Sequence, residues 1–400
     1  MIVGLIYIYI VICLAMVLFD IFFIAIISLR KKISKSNKES LTDDILTNLV
    51  YLDEHGKMDT EYLAELQEKL HNPITLQTME TVIDSLKERL SCGEIILPPP
   101  AKKSHRKNEA PAEAPRFSHK KCAMLFDEYL SIIATYIVGM NSCYRSKDID
   151  IYSYYIHFLR KYKFLKKFCN NEIISNFKDV LEKGDVHACE NILLTVYDLG
   201  NPDLAIEMLK LFDKSEKYLN PKIISDGLLD YSGDPFKLQC MLLIHLGEFS
   251  VTMQVNILNY IRFASGEHCE FILQLLLDKN SDNEVKFSCM RYFGKYKYPP
   301  AYPIIAEYAN GNISDIKEFC IIAVSVIRNY PGADTVDILK KQIYSHNWNV
   351  RYNAAESLDY LCVKYEDVMD ILEGDDRYTR EMMQYRFDKR YAREKEEVFL

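Results

Sequence analysis

Val350-Arg-Tyr-Asn-Ala-Ala-Glu-Ser-Leu358 sets the architecture, because its pattern recurs. Ile316-Lys-Glu-Phe-Cys-Ile-Ile-Ala-Val324 stands 34 residues upstream, and Val285-Lys-Phe-Ser-Cys-Met-Arg-Tyr-Phe293 a further 31. Met253-Gln-Val-Asn-Ile-Leu-Asn-Tyr-Ile261 lies 32 before that, and weaker copies run from Pro221 to Leu229 and from Val186 to Leu194. Each strong block opens on an apolar residue. Its fifth position holds Ile257, Cys289, Cys320 or Ala354, and its ninth Ile261, Phe293, Val324 or Leu358. A spacing of four places these residues on one face of a helix.

The second position is a long polar residue each time: Gln254, Lys286, Lys317 and Arg351. Asp or Asn stands at the start of three blocks: Asp282 and Asn283, Asp315, and Asn347 and Asn349. Such side chains accept hydrogen bonds from the first-turn amides of a helix and tie neighbouring turns together. Asp282, Glu284, Asn347, Asn349 and Arg351 are therefore expected to hold the inter-helix turns. A break follows each block, Pro299-Pro300 or Pro331-Gly332, and then a second helix, Tyr302 to Tyr308 or Thr335 to Tyr344. A helix pair of this size buries its apolar face only against the next pair. No stretch from Phe117 onward shows sustained alternation with turn dipeptides, so the expectation is an all-α chain ending in a right-handed α-solenoid.

These residues resemble a known family. Asp282-Asn-Glu-Val-Lys286, Arg291-Tyr-Phe-Gly-Lys-Tyr296 and Trp348-Asn-Val-Arg-Tyr-Asn-Ala-Ala-Glu-Ser-Leu358 look like HEAT repeats. Asp376-Arg-Tyr-Thr-Arg-Glu-Met-Met383 resembles the tail of bacterial membrane-anchored HEAT-repeat proteins. The resemblance is specific over about 250–395 and looser back to about 185. It implies an armadillo-like scaffold or adaptor that binds other proteins along a concave face. On that implication Tyr302, Glu307, Lys340, Lys341 and Tyr344, on the second helices, are candidate partner contacts.

Residues 1–29 carry one charge, Asp20, and Arg30-Lys31-Lys32 follows at once. An apolar run of that length can cross a hydrocarbon core about 30 Å thick as one helix. Lys/Arg on its C-terminal side directs the N-terminus outside and residues 30–400 to the cytoplasm. A secretory signal would carry its charge before a shorter core and end in small residues. Asp20 inside a span costs about 2.5–3.5 kcal/mol at the centre. It either meets a partner's span or draws a local water defect toward the basic flank.

The expected domains are the anchor 1–29, a basic flank with a small helical region 30–97, and a Pro/Ala/charged linker 98–116. Residues 117–184 follow as the helical N-terminal part of the solenoid, then the repeats 185–400 with a charged capping helix. Eleven cysteines are scattered with no CxxC pair, which is how free thiols appear in a reducing compartment. The chain has a net charge of −8 and lacks HExxH, a phosphate loop and G-x-S-x-G. No catalytic residue, cofactor or metal ligand is expected, and the partner is a protein rather than nucleic acid. The alternative is a tethered HEAT-like enzyme or ligand-binding module, DNA-glycosylase-like or lyase-like. A glycosylase needs a basic groove, whereas residues 185–400 hold roughly 24 Lys/Arg against 34 Asp/Glu.

Overall fold

The computed structural model describes residues 35–91, 119–141, 149–311 and 316–398, and all regular structure among them is helical. The expected anchor with Asp20, the 98–116 linker and Asp315 lie outside the described residues. The chain divides into two compact units, Met1–Thr195 and Val196–Leu400. The division falls within a helix, Val186–Leu199, rather than at the expected 184/185 boundary.

In the first unit α1 (residues 35–55) is followed by α2 (Thr60–Leu70), α3 (Pro73–Ser91), α4 (His119–Asn141) and α5 (Ile149–Lys161). Two more, α6 (Leu165–Phe168) and α7 (Asn171–Lys183), precede α8 (Val186–Leu199). Asp59 starts α2 by accepting from the Glu61 amide, and Asn170 starts α7 through the Ile173 amide, as short polar N-caps do. The sequence separates residues 39–97 from 117–184, yet α3 packs on α2, α4 and α5 in one core. Tyrosine hydroxyls stitch the two segments together. Tyr62 shares a hydrogen bond of 2.8 Å with Tyr129, and Tyr155 donates to the Leu70 carbonyl at 3.2 Å. Lys161 pairs with Asp84 at 2.6 Å. Helices α4 and α5 thus share a core with the N-terminal helices.

Among the described residues one stretch, Lys120–Gly139, is long and apolar enough to cross a membrane by length and composition alone. In this unit Phe126, Tyr129, Leu130, Ile133, Ala134 and Ile137 of that helix are at most 2% exposed. Its apolar face is the wall of a core.

The second unit runs through α9 (Pro202–Lys214), α10 (Pro221–Leu229), α11 (Pro235–Ile244), α12 (Val251–Ala264), α13 (Cys269–Leu277) and α14 (Asn283–Phe293). It continues with α15 (Tyr302–Ala309), α16 (Lys317–Val326), α17 (Ala333–Gln342), α18 (Trp348–Tyr360), α19 (Met369–Leu372) and α20 (Arg377–Val398). Asn201, Asn220 and Asp234 cap α9, α10 and α11, each followed by proline at the first helical position. That residue lacks an N–H the helix would leave unbonded anyway.

The recurring blocks are α12, α14, α16 and α18, and they form a spine. Each packs on the next, with α10 and α20 extending the row at its ends. A second row lies beside it, since α13, α15, α17 and α19 pack against α14, α16, α18 and α20 respectively. Ile261, Phe293, Val324 and Leu358, the ninth positions, are wholly buried. So are Ile257, Cys289 and Ala354 at the fifth, while Cys320 is half-buried. Ile316 departs from the pattern: it precedes α16 in extended backbone and is 39% exposed, and Phe319 is buried within the first turn instead.

The repeat is written in hydrogen bonds as well as in packing. Asn329 Nδ2 donates to the Gly294 carbonyl at 2.6 Å, 35 residues back. Ser357 Oγ reaches the Val324 carbonyl at 2.8 Å across 33 residues. Thr379 Oγ1 reaches that of Ile343 at 3.1 Å across 36. Gly294, Val324 and Ile343 stand at helix C-terminal ends, where the last carbonyls have no intrahelical donor. Each repeat satisfies such a group on its predecessor.

Candidate functional site

Asp282 accepts from the Glu284 amide at 2.9 Å, and Asn347 from the Asn349 amide at 2.9 Å. Both are N-caps. Glu284 and Asn349 supply main-chain donors to these turns, while their side chains face solvent. Arg351 binds the turn from within: its Nε donates to the Ser345 carbonyl. Its Nη1 and Nη2 grip Asp376 at 3.3 and 2.8 Å. That fork and the Thr379 amide hold the Asp376 carboxyl below its usual range. Gln254 does the corresponding job one end earlier, donating to the Phe249 carbonyl at 2.9 Å. In these two blocks the second position is therefore a side chain that reaches back into the preceding turn.

The five candidate partner contacts separate into two groups. Glu307, Lys341 and Tyr344 are exposed. Tyr302 and Lys340 are half-buried and make contacts within the unit. The Tyr302 ring lies 5.9 Å from Tyr330, and its hydroxyl takes a 3.4 Å bond from Thr335. Lys340 donates to the Asp367 carbonyl at 2.7 Å and pairs with Asp370 at 2.8 Å.

The feature that sequence reading missed is a cleft of about 500 Å³ on the spine. Its lining comes from four successive spine elements. These are Arg262 and Phe263 of α12, Arg291, Gly294 and Lys295 at the end of α14, α16 with the turn that follows it, and Asn353 of α18. The floor contains Ile321, Ile322 and Val326, and Arg328 completes a set of four cations. No Asp, Glu, His or Cys lines it. Three of the cations lean on aromatic faces. The Arg262 guanidinium lies 4.8 Å and Lys295 Nζ 5.3 Å from the Phe263 ring centre, and Arg328 lies 4.9 Å from that of Tyr360. Lys295 also donates to the Phe263 carbonyl at 3.3 Å. Arg262 Nε is buried and has no hydrogen-bond partner among the described residues. Burial, and then the neighbouring Arg291, press the Arg262 guanidinium below its ordinary pKa.

Each cation is locally reasonable, since Arg and Lys in the last turn of a helix meet the negative end of its dipole. Stacking in register makes the site, bringing the ends of α12, α14 and α16 side by side. A charge total hides this, because the acidic residues lie elsewhere. The available signal was a cation beside an aromatic at successive block ends, Arg262-Phe263 and Lys295-Tyr296. Chemically the cleft can hold an anion with an apolar flank. It presents no general base and no metal ligand.

A second cluster sits in the first unit, between α3 and α5. Glu80, 8% exposed, lies 3.7 Å from His157 and 3.6 Å from Lys161. Tyr162 donates to Asp84 at 3.0 Å. Burial raises the Glu80 carboxyl and lowers the His157 imidazole, so both are driven toward their neutral forms. Among the described residues no group of three or more His, Cys, Asp or Glu could hold a metal ion.

No family model, curated protein or solved structure matches this chain.

Proposed function

We propose that the chain is a membrane-tethered adaptor whose second unit, a right-handed α-solenoid of HEAT type, holds a protein partner at the cytoplasmic face of the membrane. The tether is the apolar run 1–29 with its basic flank, which places the N-terminus outside. The observation that carries the binding role is a set of large aromatic side chains left in solvent on the spine. Trp348 and Tyr360 of α18 are each 60% exposed, and Tyr378 and Tyr385 of α20 are exposed as well. Aromatic residues of this kind anchor protein interfaces, since they bury much area at little entropic cost. The basic cleft, whose Arg328 stacks on Tyr360, favours binding over chemistry, because its lining offers cations and apolar side chains without an acid–base pair.

The test is crosslinking and capture of the full-length chain from membranes, with Asp20→Leu and a chain lacking residues 1–29 alongside. One or two partners at fixed stoichiometry are expected. Loss on Asp20→Leu alone would place that contact in the bilayer. No saturable partner in any arm would refute the reading.

A further inference from the structure

We propose, resting on the adaptor reading above, that the cleft across α12, α14, α16 and α18 seats a short, extended, acidic segment of the partner protein. Charge is the first argument. Arg262, Arg291, Lys295 and Arg328 converge with no carboxylate among the lining residues, and Arg262 Nε is buried without a hydrogen-bond partner among those described. Gathering like charges on a folded surface is unfavourable in itself, and a multiply charged anion relieves it. Guanidinium groups grip carboxylates through paired, parallel hydrogen bonds, and three of the four cations are arginines.

Length comes next. The lining is drawn from four neighbouring helices of the spine, and packed helices lie about 9 Å apart, so the first and last axes stand about 27 Å apart. A peptide in extended conformation covers that distance with about eight residues at 3.3 Å each. In such a chain alternate side chains point in opposite directions, so acidic residues can meet the arginines while apolar ones meet Ile321, Ile322 and Val326.

Surroundings exclude larger polyanions. Residues 185–400 hold roughly 24 Lys/Arg against 34 Asp/Glu, so the basic strip is an island on an acidic unit. A nucleic acid or an anionic lipid surface extends beyond the strip over a unit whose net charge is negative. A short acidic stretch of an otherwise ordinary protein does not.

The experiment uses the full-length chain in zwitterionic nanodiscs and fluorescence anisotropy of three labelled octapeptides, alternating Leu with Glu, Gln or Lys. The Glu peptide should bind saturably and at least tenfold more tightly than the Gln peptide, with affinity falling as salt rises. Arg291→Glu combined with Arg328→Glu should weaken it at least tenfold, whereas Lys279→Glu, exposed and outside the cleft, should leave it unchanged. Matching melting curves for all variants would confirm intact folding. Equal binding of Glu and Gln peptides, or affinity untouched by the double reversal, would overturn the proposal. So would an oligothymidylate or phosphatidylserine vesicles that bind the same cleft more tightly than the Glu peptide. If a partner captured from membranes stays bound to the double variant, the adaptor reading survives and this assignment falls. If the Glu peptide binds the cleft while no partner is captured, the assignment stands and the adaptor reading falls.

Discussion

Thr379→Val isolates one bond of the inter-repeat ladder. Thr379 is wholly buried at the start of α20, and its hydroxyl is bound to the Ile343 carbonyl at 3.1 Å. Valine keeps the shape and removes the donor. The carbonyl it abandons lies just past α17, where a helix supplies no partner of its own. A lost hydrogen bond costs about 0.5–1.5 kcal/mol, and a buried group left unsatisfied about 1–3. We therefore expect about 2 kcal/mol, or about 4–8 °C in Tm for a unit of this size. Trp348, the chain's one tryptophan, opens α18, which packs directly on α20, so its fluorescence during urea titration reports on the right place. The control is Thr252→Val on the exposed start of α12, which should stay within about 0.5 kcal/mol of wild type. If Thr379→Val also falls within that margin, the ladder contributes nothing and the repeats are held by apolar contact alone.

Leu358→Ala, at a fully buried ninth position, should cost about 2–5 kcal/mol in the same titration through lost transfer energy and a cavity. Asp282→Ala removes the α14 cap and should cost about 1 kcal/mol, measurable by urea unfolding, with Asp282→Asn close to wild type. The Glu80 and His157 pair predicts pH dependence in the first unit. His157 has its folded pKa lowered below the usual 6.5, so the stability it contributes is present above that pH and is lost as pH falls through the folded value. Glu80 is raised above its usual 4.5, so its contribution is present below that value and is lost as pH rises through the folded one. Glu80→Gln should therefore slow amide exchange in α3 and α5 at pH 7, with no gain at pH 4.

The repeat was legible because burial in a stacked helix obeys a simple spacing. Ile261, Phe293, Val324 and Leu358 repeat every 31–34 residues, and all four are core. Asp282 and Asn347 were legible as caps because short polar side chains before an apolar-periodic run have few other uses. The eighth position was not. Tyr260, Tyr292 and Ser357 are as buried as the ninth, but a hydroxyl looks like surface until its partner is known. Ser357 needs the Val324 carbonyl, and Tyr292 receives the His268 amide at 3.2 Å. The joining of α1–α3 to α4 and α5 was hidden for the same reason, since Tyr62–Tyr129 and Tyr155–Leu70 are contacts over long sequence separations. At the cleft, Arg262, Arg291, Lys295 and Arg328 each read as an ordinary surface cation. Only the register of the stack makes them neighbours.

The most direct test of the adaptor account is residue-resolved crosslinking on membranes. A photoreactive phenylalanine analogue would replace Phe263 or Tyr360 beside the cleft, or Ile74 of α3, which is 72% exposed in the other unit. One shared protein adduct from Phe263 and Tyr360 and none from Ile74 is expected. No adduct from either spine position, or the same adducts from all three, would contradict the adaptor reading.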